Sequence, residues 1–153
     1  MTIDGLDDDT IRAILTTTRR IALVGASAKP ARPSNEVLHA LLRRGYDVTP
    51  VNPGLAGRRI HGQIVAATLD DVVRDQAVPL DMVDLFRASD KVLPAVQDAI
   101  RLGAKTIWMQ LGVINPHAAA LAREAGIAVV MDRCPVIEWA RLGLAVSVPH
   151  QTS

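Results

Sequence analysis

Lys29 and Arg32 stand three residues apart, interleaved with Pro30 and Pro33, directly after the small-residue run Gly25-Ala26-Ser27-Ala28. Small side chains let a ligand approach the backbone, and a helix N-terminus presents free N–H groups and positive potential to an anion. A helical pattern opens at Ser34, so cations, small residues and a helix start converge on one loop. That combination reads as a cradle for a phosphate or diphosphate. The plainer reading is a strand-to-helix turn with solvated basic residues.

The other chemically capable groups read as structure. Cys134 is the single cysteine, which excludes an internal disulfide framework. It is either a small buried hydrophobe or a thiol activated by neighbouring Arg133 and by a helix starting near Pro135. His39, His61, His117 and His150 are at least 22 residues apart, without metal-binding spacing. Asp70-Asp71, and Asp81 with Asp84, read as caps and strand-edge charges, and Glu138 is expected to be turned aside from Cys134. Asp7-Asp8-Asp9 reads as helix capping, since consecutive carboxylates on a helix diverge. No nucleophile–base pair and no metal site emerge, so a binding protein is expected.

These residues need elements to position them. An amphipathic helix is expected over residues 8–18, then a buried strand from Ile21 to Val24. A helix from Ser34 to about Arg44 follows, with Ser34 as N-cap and Gly45 as its C′ residue. Asp47 to Val51 is the second strand, ended by Asn52-Pro53-Gly54. Beyond it come an extended piece near Ile64–Ala66, a short helix over Leu69–Arg74 capped by Thr68, and a strand over Asp81–Phe86. A helix from about Ser89 to Leu102 starts later if Pro94 must sit in its first turn. Thr106–Gln110 is a strand, Asn115-Pro116 starts a helix that runs to Gly126, and Ile127–Met131 is the last strand. A helix over Ile137–Leu142 and a loose tail from Val148 complete the chain.

Strands alternating with helices imply a doubly wound parallel sheet of five to six strands with helices on both faces, in one domain spanning 1–153. A Rossmann-like order, 3-2-1-4-5-6, puts the Ile21–Val24 strand beside the strand ending at Phe86. Ligands in such sheets bind beyond the carboxyl ends of the strands. The candidate residues are those just past these ends: Gly25 to Ser27, Asn52-Pro53, Phe86-Arg87, Gln110 to Gly112 and Cys134.

Composition narrows the partners. Of 153 residues, 49% are hydrophobic and 22% charged, which describes a folded globular chain. A net charge of +1 and 3% aromatics exclude general attraction to nucleic acid or anionic membrane, and base stacking on aromatic platforms. No apolar run reaches membrane-span length, and the acidic N-terminus does not read as a signal peptide, so a cytoplasmic protein is expected. The loop lacks G-x-G-x-x-G, and Val51-Asn52-Pro53 offers no ribose-reading acid, so an NAD(P)-binding oxidoreductase is disfavoured. G-x-x-x-x-G-K-[ST] is absent as well.

Five segments, each at a strand end, resemble one family. They are Val24-Gly-Ala-Ser-Ala-Lys-Pro30 with Arg32-Pro-Ser34; Gly45-Tyr-Asp-Val-Thr-Pro-Val-Asn-Pro53; Val83-Asp-Leu-Phe-Arg87; Ile107-Trp-Met-Gln-Leu-Gly112; and Met131-Asp-Arg-Cys-Pro135. Over residues 15–143 the chain resembles the small single-domain coenzyme A-binding proteins, themselves similar to the coenzyme A-binding domain of the succinyl-CoA synthetase α subunit. The family usually has a lysine after Cys-Pro, where this chain has Val136.

The resemblance implies coenzyme A or an acyl-CoA lying across the strand ends. Gly25, Ala26 and Ser27 would meet the diphosphate with N–H groups, and Lys29 and Arg32 would neutralise phosphates beside Pro33 and Ser34. Val51, Asn52 and Pro53 would border the adenosine. Phe86 and Arg87 would flank the turn to pantetheine, Gln110, Leu111 and Gly112 would line its arm, and Cys134 would lie near the thiol. By pattern alone, Phe86 and Trp108 read as core. The alternative function is the coenzyme A-binding subunit of a multi-chain NDP-forming acyl-CoA synthetase. The protein itself is expected to be a monomer or weak homodimer.

Overall fold

Five short parallel strands, nearly all buried, carry the structure, a computed structural model that describes residues 2–74 and 79–145. The sequence yields α1 (Asp8–Thr17), β1 (Arg20–Val24), α2 (Pro33–Arg43) and β2 (Asp47–Val51). A small antiparallel hairpin, β3 (Arg59–Ile60) with β4 (Gln63–Ile64), precedes α3 (Leu69–Val73). β5 (Met82–Leu85), α4 (Leu93–Arg101), β6 (Thr106–Met109), α5 (Pro116–Glu124), β7 (Ala128–Val130) and α6 (Pro135–Arg141) complete the order.

The strands lie in the order β2-β1-β5-β6-β7, all parallel. Beside β2, the chain at Ala66 makes a single parallel bridge to Val51. The expected six-strand order is therefore present, with its third strand reduced to one residue pair. β1 lies between β2 and β5, so the direction of winding reverses there, and its carboxyl end is the topological switch point.

Alternation along the strands sorts the core into two layers. Ile21, Leu23, Met82 and Trp108 pack with α1, α2 and α6; Ala22, Val24, Val83, Leu85, Ile107 and Met109 pack with α3, α4 and α5. Trp108 is fully buried, as expected, and its indole N–H donates to the Arg133 carbonyl at 2.8 Å. Asp81 caps the sheet's other end, accepting from the N–H groups of Arg19 and Arg20 and pairing with Lys105.

Local starts and stops follow side-chain chemistry. Asp7, Thr68 and Asn115 each accept an N–H from the first turn of the helix that follows. A short 3₁₀ turn, Ser89–Lys91, precedes α4, which begins at Leu93 so that Pro94 falls in its first turn. The last helix starts at Pro135, two residues before the expected Ile137. The expected loose tail from Val148 lies outside the described residues.

Candidate functional site

β1 ends at Gly25, where φ is +90° and a Cβ would lie 2.1 Å from the Phe86 carbonyl oxygen. Only glycine fits, and the chain passes close over β5. The next turn differs from the expectation that Gly25, Ala26 and Ser27 all offer N–H groups. Gly25 and Ala26 both donate to the Val51 carbonyl, at 3.0 and 3.2 Å. Those two residues clamp the loop to β2; their contribution at the site is small size.

Two asparagines hold the loop from behind. Asn52 donates to the Ala26 carbonyl at 2.8 Å and accepts from Gly54 N–H. Asn35 donates to the Ser27 carbonyl at 2.9 Å, and its Oδ1 lies 2.7 Å from Nε2 of His61. With these carbonyls engaged, the N–H groups of Ser27, Ala28 and Ser34 remain without an acceptor among the described residues. Ser34 is not the N-cap: Pro33 occupies the first helical position, Arg32 becomes the cap residue, and no side chain caps α2. In the first turn the N–H groups of Asn35 and Glu36 both donate to the Arg32 carbonyl, at 3.0 and 3.2 Å, and Ser34 N–H is left facing the loop.

Lys29 and Arg32 are exposed beside that opening, with no ion-pair partner among the described residues. They line a cleft of about 980 Å³. Gly25, Ala26, Ser27, Lys29, Arg32, Pro33, Ser34, Asn52, Phe86, Gln110, Leu111 and Cys134 line it. Phe86, partly exposed, is a wall of this cleft and not interior core. Gln110 lies two strands from Gly25, or about 10 Å at the usual inter-strand spacing. The cleft therefore suits an extended ligand.

Four expected residues fall elsewhere. Val51, Pro53 and Arg87 line a smaller cleft of about 280 Å³ on the other side of Gly25, with Lys91 and Asp98. Gly112 lines neither: its N–H donates to Asp132 at 2.7 Å and its carbonyl accepts from Ser89.

Two features escaped the pattern of the sequence. Asp84, expected as a strand-edge charge, is completely buried in the central strand β5. Burial pushes its carboxyl well above the usual carboxylate range. Gln110, with its amide nitrogen turned inward, donates to both Asp84 oxygens at 3.0 and 3.2 Å. The carboxyl thereby fixes a cleft residue. Arg133 is also buried, held by Asp4, Thr2, Glu138 and the Leu6 carbonyl. The guanidinium that was expected to favour a Cys134 thiolate is engaged with these partners. Cys134 itself is buried and forms the N-cap position of α6 without a capping side-chain bond. Glu138 faces Arg133 at 2.7 Å.

His39 and His61, 22 residues apart in sequence, meet with ring centroids 4.6 Å apart. Among the described residues no three histidine, cysteine, aspartate or glutamate side chains gather to hold a metal ion. His150 lies outside the described residues.

A parallel sheet with its switch point at Gly25, an uncapped helix facing it and a cleft along the strand ends define a Rossmann-like α/β domain. The comparisons make the assignment narrower: the family model of the CoA-binding domain matches residues 19–140, and the chain belongs to that family. It is 32% identical over 132 residues to YneT of Bacillus subtilis, a protein of uncharacterised function, covering 81% of this chain and 87% of YneT. A hypothetical protein from Pyrococcus horikoshii superposes with a TM-score of 0.84 at 42% identity, covering 93% of this chain and 96% of that one. An acetyl-coenzyme A synthetase from Candidatus Korarchaeum cryptofilum, in complex with phosphate and ADP, matches at 25% identity with a TM-score of 0.61. That match takes in 80% of this chain but 27% of the synthetase. Among the described residues no helix is long and apolar enough to cross a membrane.

Proposed function

We propose that the protein binds coenzyme A or an acyl-CoA across the carboxyl ends of its strands, with no catalytic centre of its own. One observation carries the reading. Lys29 and Arg32, without ion-pair partners among the described residues, line a cleft long enough for an extended ligand beside the uncapped start of α2. A diphosphate supplies the charge this corner lacks.

In this reading Ser27, Ala28 and Ser34 offer N–H groups to the phosphates, and Lys29 and Arg32 neutralise them. Val51 and Pro53 border the adenosine from the smaller cleft, with Arg87 approaching the diphosphate from the same side. Phe86, Gln110 and Leu111 follow the pantetheine arm, and Cys134 lies nearest the thiol. Asn52 stands where a dinucleotide domain usually offers an acid, and its amide is already engaged by Ala26 and Gly54. NAD therefore finds no carboxylate for its ribose diol there. In this reading the protein acts in the cytoplasm, as a monomer or weak homodimer.

A second reading has a specific basis. The chain matches about a quarter of an acetyl-coenzyme A synthetase, so it fits the coenzyme A-binding subunit of a multi-chain synthetase. Native mass spectrometry of gently purified protein tests both. Coenzyme A or an acyl-CoA co-purifying with a single chain supports the binding protein, and a stoichiometric second chain supports the subunit. Retention of a nicotinamide dinucleotide overturns both.

A further inference from the structure

The cleft has a second limb that a diphosphate does not need. α2 turns Pro33, Glu36, Val37 and Ala40 into it. These positions are spaced i, i+3, i+4 and i+7, so the cleft follows α2 for about two turns, roughly 10 Å from its start. Val136 and Ile137 of α6 line the same cleft just past Cys134. The charged lining residues, Lys29, Arg32 and Glu36, all belong to the loop and the first turn of α2. Beyond that turn the wall from both helices is aliphatic or small.

The rim is also apolar. Leu111 and Ile137 are 56% and 53% exposed, and they are two of the four large hydrophobic side chains this open among the described residues. Isolated exposed apolar residues are ordinary, but two bordering one cleft, above an aliphatic groove, match a hydrocarbon occupant. Ala40, half-buried, keeps the groove open where a longer side chain would fill it.

We propose that the groove between α2 and α6 is an acyl subsite, and that the ligand is a coenzyme A thioester carrying an unbranched aliphatic acyl chain. This rests on the coenzyme A reading and adds a substrate class to it. The limb holds no cation among the described residues, so an acyl group ending in a carboxylate would bury its charge without a partner. The site accordingly selects against dicarboxylic thioesters such as succinyl-CoA.

Titration calorimetry with free coenzyme A and with acetyl-, butyryl-, hexanoyl- and succinyl-CoA tests the proposal on wild type, Ala40→Leu and Ile137→Asn. In the wild type, affinity rises with chain length by up to about fourfold per methylene, the scale of full burial, until the groove is filled. Succinyl-CoA binds at least tenfold more weakly than butyryl-CoA. Ala40→Leu flattens the series by filling the groove, and the exposed Ile137→Asn flattens it without touching the core. Affinity independent of chain length, succinyl-CoA binding as well as butyryl-CoA, or a series unchanged in both variants overturns the acyl subsite while free coenzyme A still binds. If neither coenzyme A nor any thioester binds, the coenzyme A reading fails and takes the subsite with it.

Discussion

Two turns leave the carboxyl end of the sheet and open onto the same cleft, and both place proline at the start of a helix beside a cation. The β7–α6 turn keeps Arg133 for itself: the guanidinium is 7% exposed and meets Asp4 at 2.8 Å and Glu138 at 2.7 Å. The β1–α2 turn leaves Lys29 and Arg32 exposed beside an uncapped helix start. A buried cation with a full set of acceptors is a structural part, because its desolvation is repaid inside the protein. An exposed cation without an ion-pair partner, beside free N–H groups, is suited to an external anion. Proximity in sequence does not separate the two cases; the partners do.

The sharpest way to break this contrast is Arg133→Ala. Removing one member of a buried charge network leaves Asp4 without its cation and Glu138 with Arg141 alone, at an expected cost of about 3–5 kcal/mol in denaturant unfolding. Asp4 belongs to the same network: burial would raise its pKa, but hydrogen bonds from Arg133, Leu6 N–H and Met131 N–H hold it at about 2. The stability it contributes is present above its ordinary value of 3.8 and is lost as pH falls toward 2. An Arg133→Ala protein of unchanged stability would erase the distinction between the turns.

Gly25→Ala comes next in size. The left-handed backbone alone costs a side chain roughly 1–3 kcal/mol, and the new Cβ meets the Phe86 carbonyl at 2.1 Å. Loss of both thermal stability and ligand affinity is expected, read by melting and by titration in parallel.

Arg32→Ala should act on the ligand alone. Coenzyme A affinity at low salt should fall by roughly 1–3 kcal/mol, the scale of a charge-assisted hydrogen bond, with the melting temperature essentially unchanged. An unaltered dissociation constant would make Arg32 a mere surface charge and the two turns energetically alike.

The smallest effect concerns Asp84. Burial raises its folded pKa, so the folded state holds the proton more tightly than the unfolded chain. Its contribution therefore weakens as pH rises from about its ordinary value of 3.8 toward the raised folded value. Asp84→Asn removes that slope, and the melting-temperature difference in favour of the variant should grow between acid and neutral pH. A difference that stays constant with pH would show that the carboxyl ionises freely.

Much of the fold was legible because its signals are local. Apolar runs marked the strands, Asn115-Pro116 and Thr68 marked helix starts, and Pro94 announced the late start of α4. The cleft followed from strand ends at a switch point. What escaped were contacts set by distant partners. Asp84 looked peripheral because strands buried on both faces erase the alternation that separates core from surface. The N–H groups of Gly25 and Ala26 looked free because only the register against β2 brings them to Val51. Asn35 and His61 join across 26 residues, and Arg133 finds Asp4 across 129. Ser34 lost the cap to Arg32 because Pro33 claims the first helical position.

Titration of the purified protein with coenzyme A and with NAD, under identical low-salt conditions, tests the central claim most directly. Both ligands carry a diphosphate, but coenzyme A adds a ribose phosphate that Lys29 or Arg32 can meet, and NAD adds a ribose diol for which the Val51-Asn52-Pro53 end of β2 has no carboxylate. Coenzyme A should bind more tightly than NAD, with the difference shrinking in Arg32→Ala. NAD binding more tightly than coenzyme A would contradict the account.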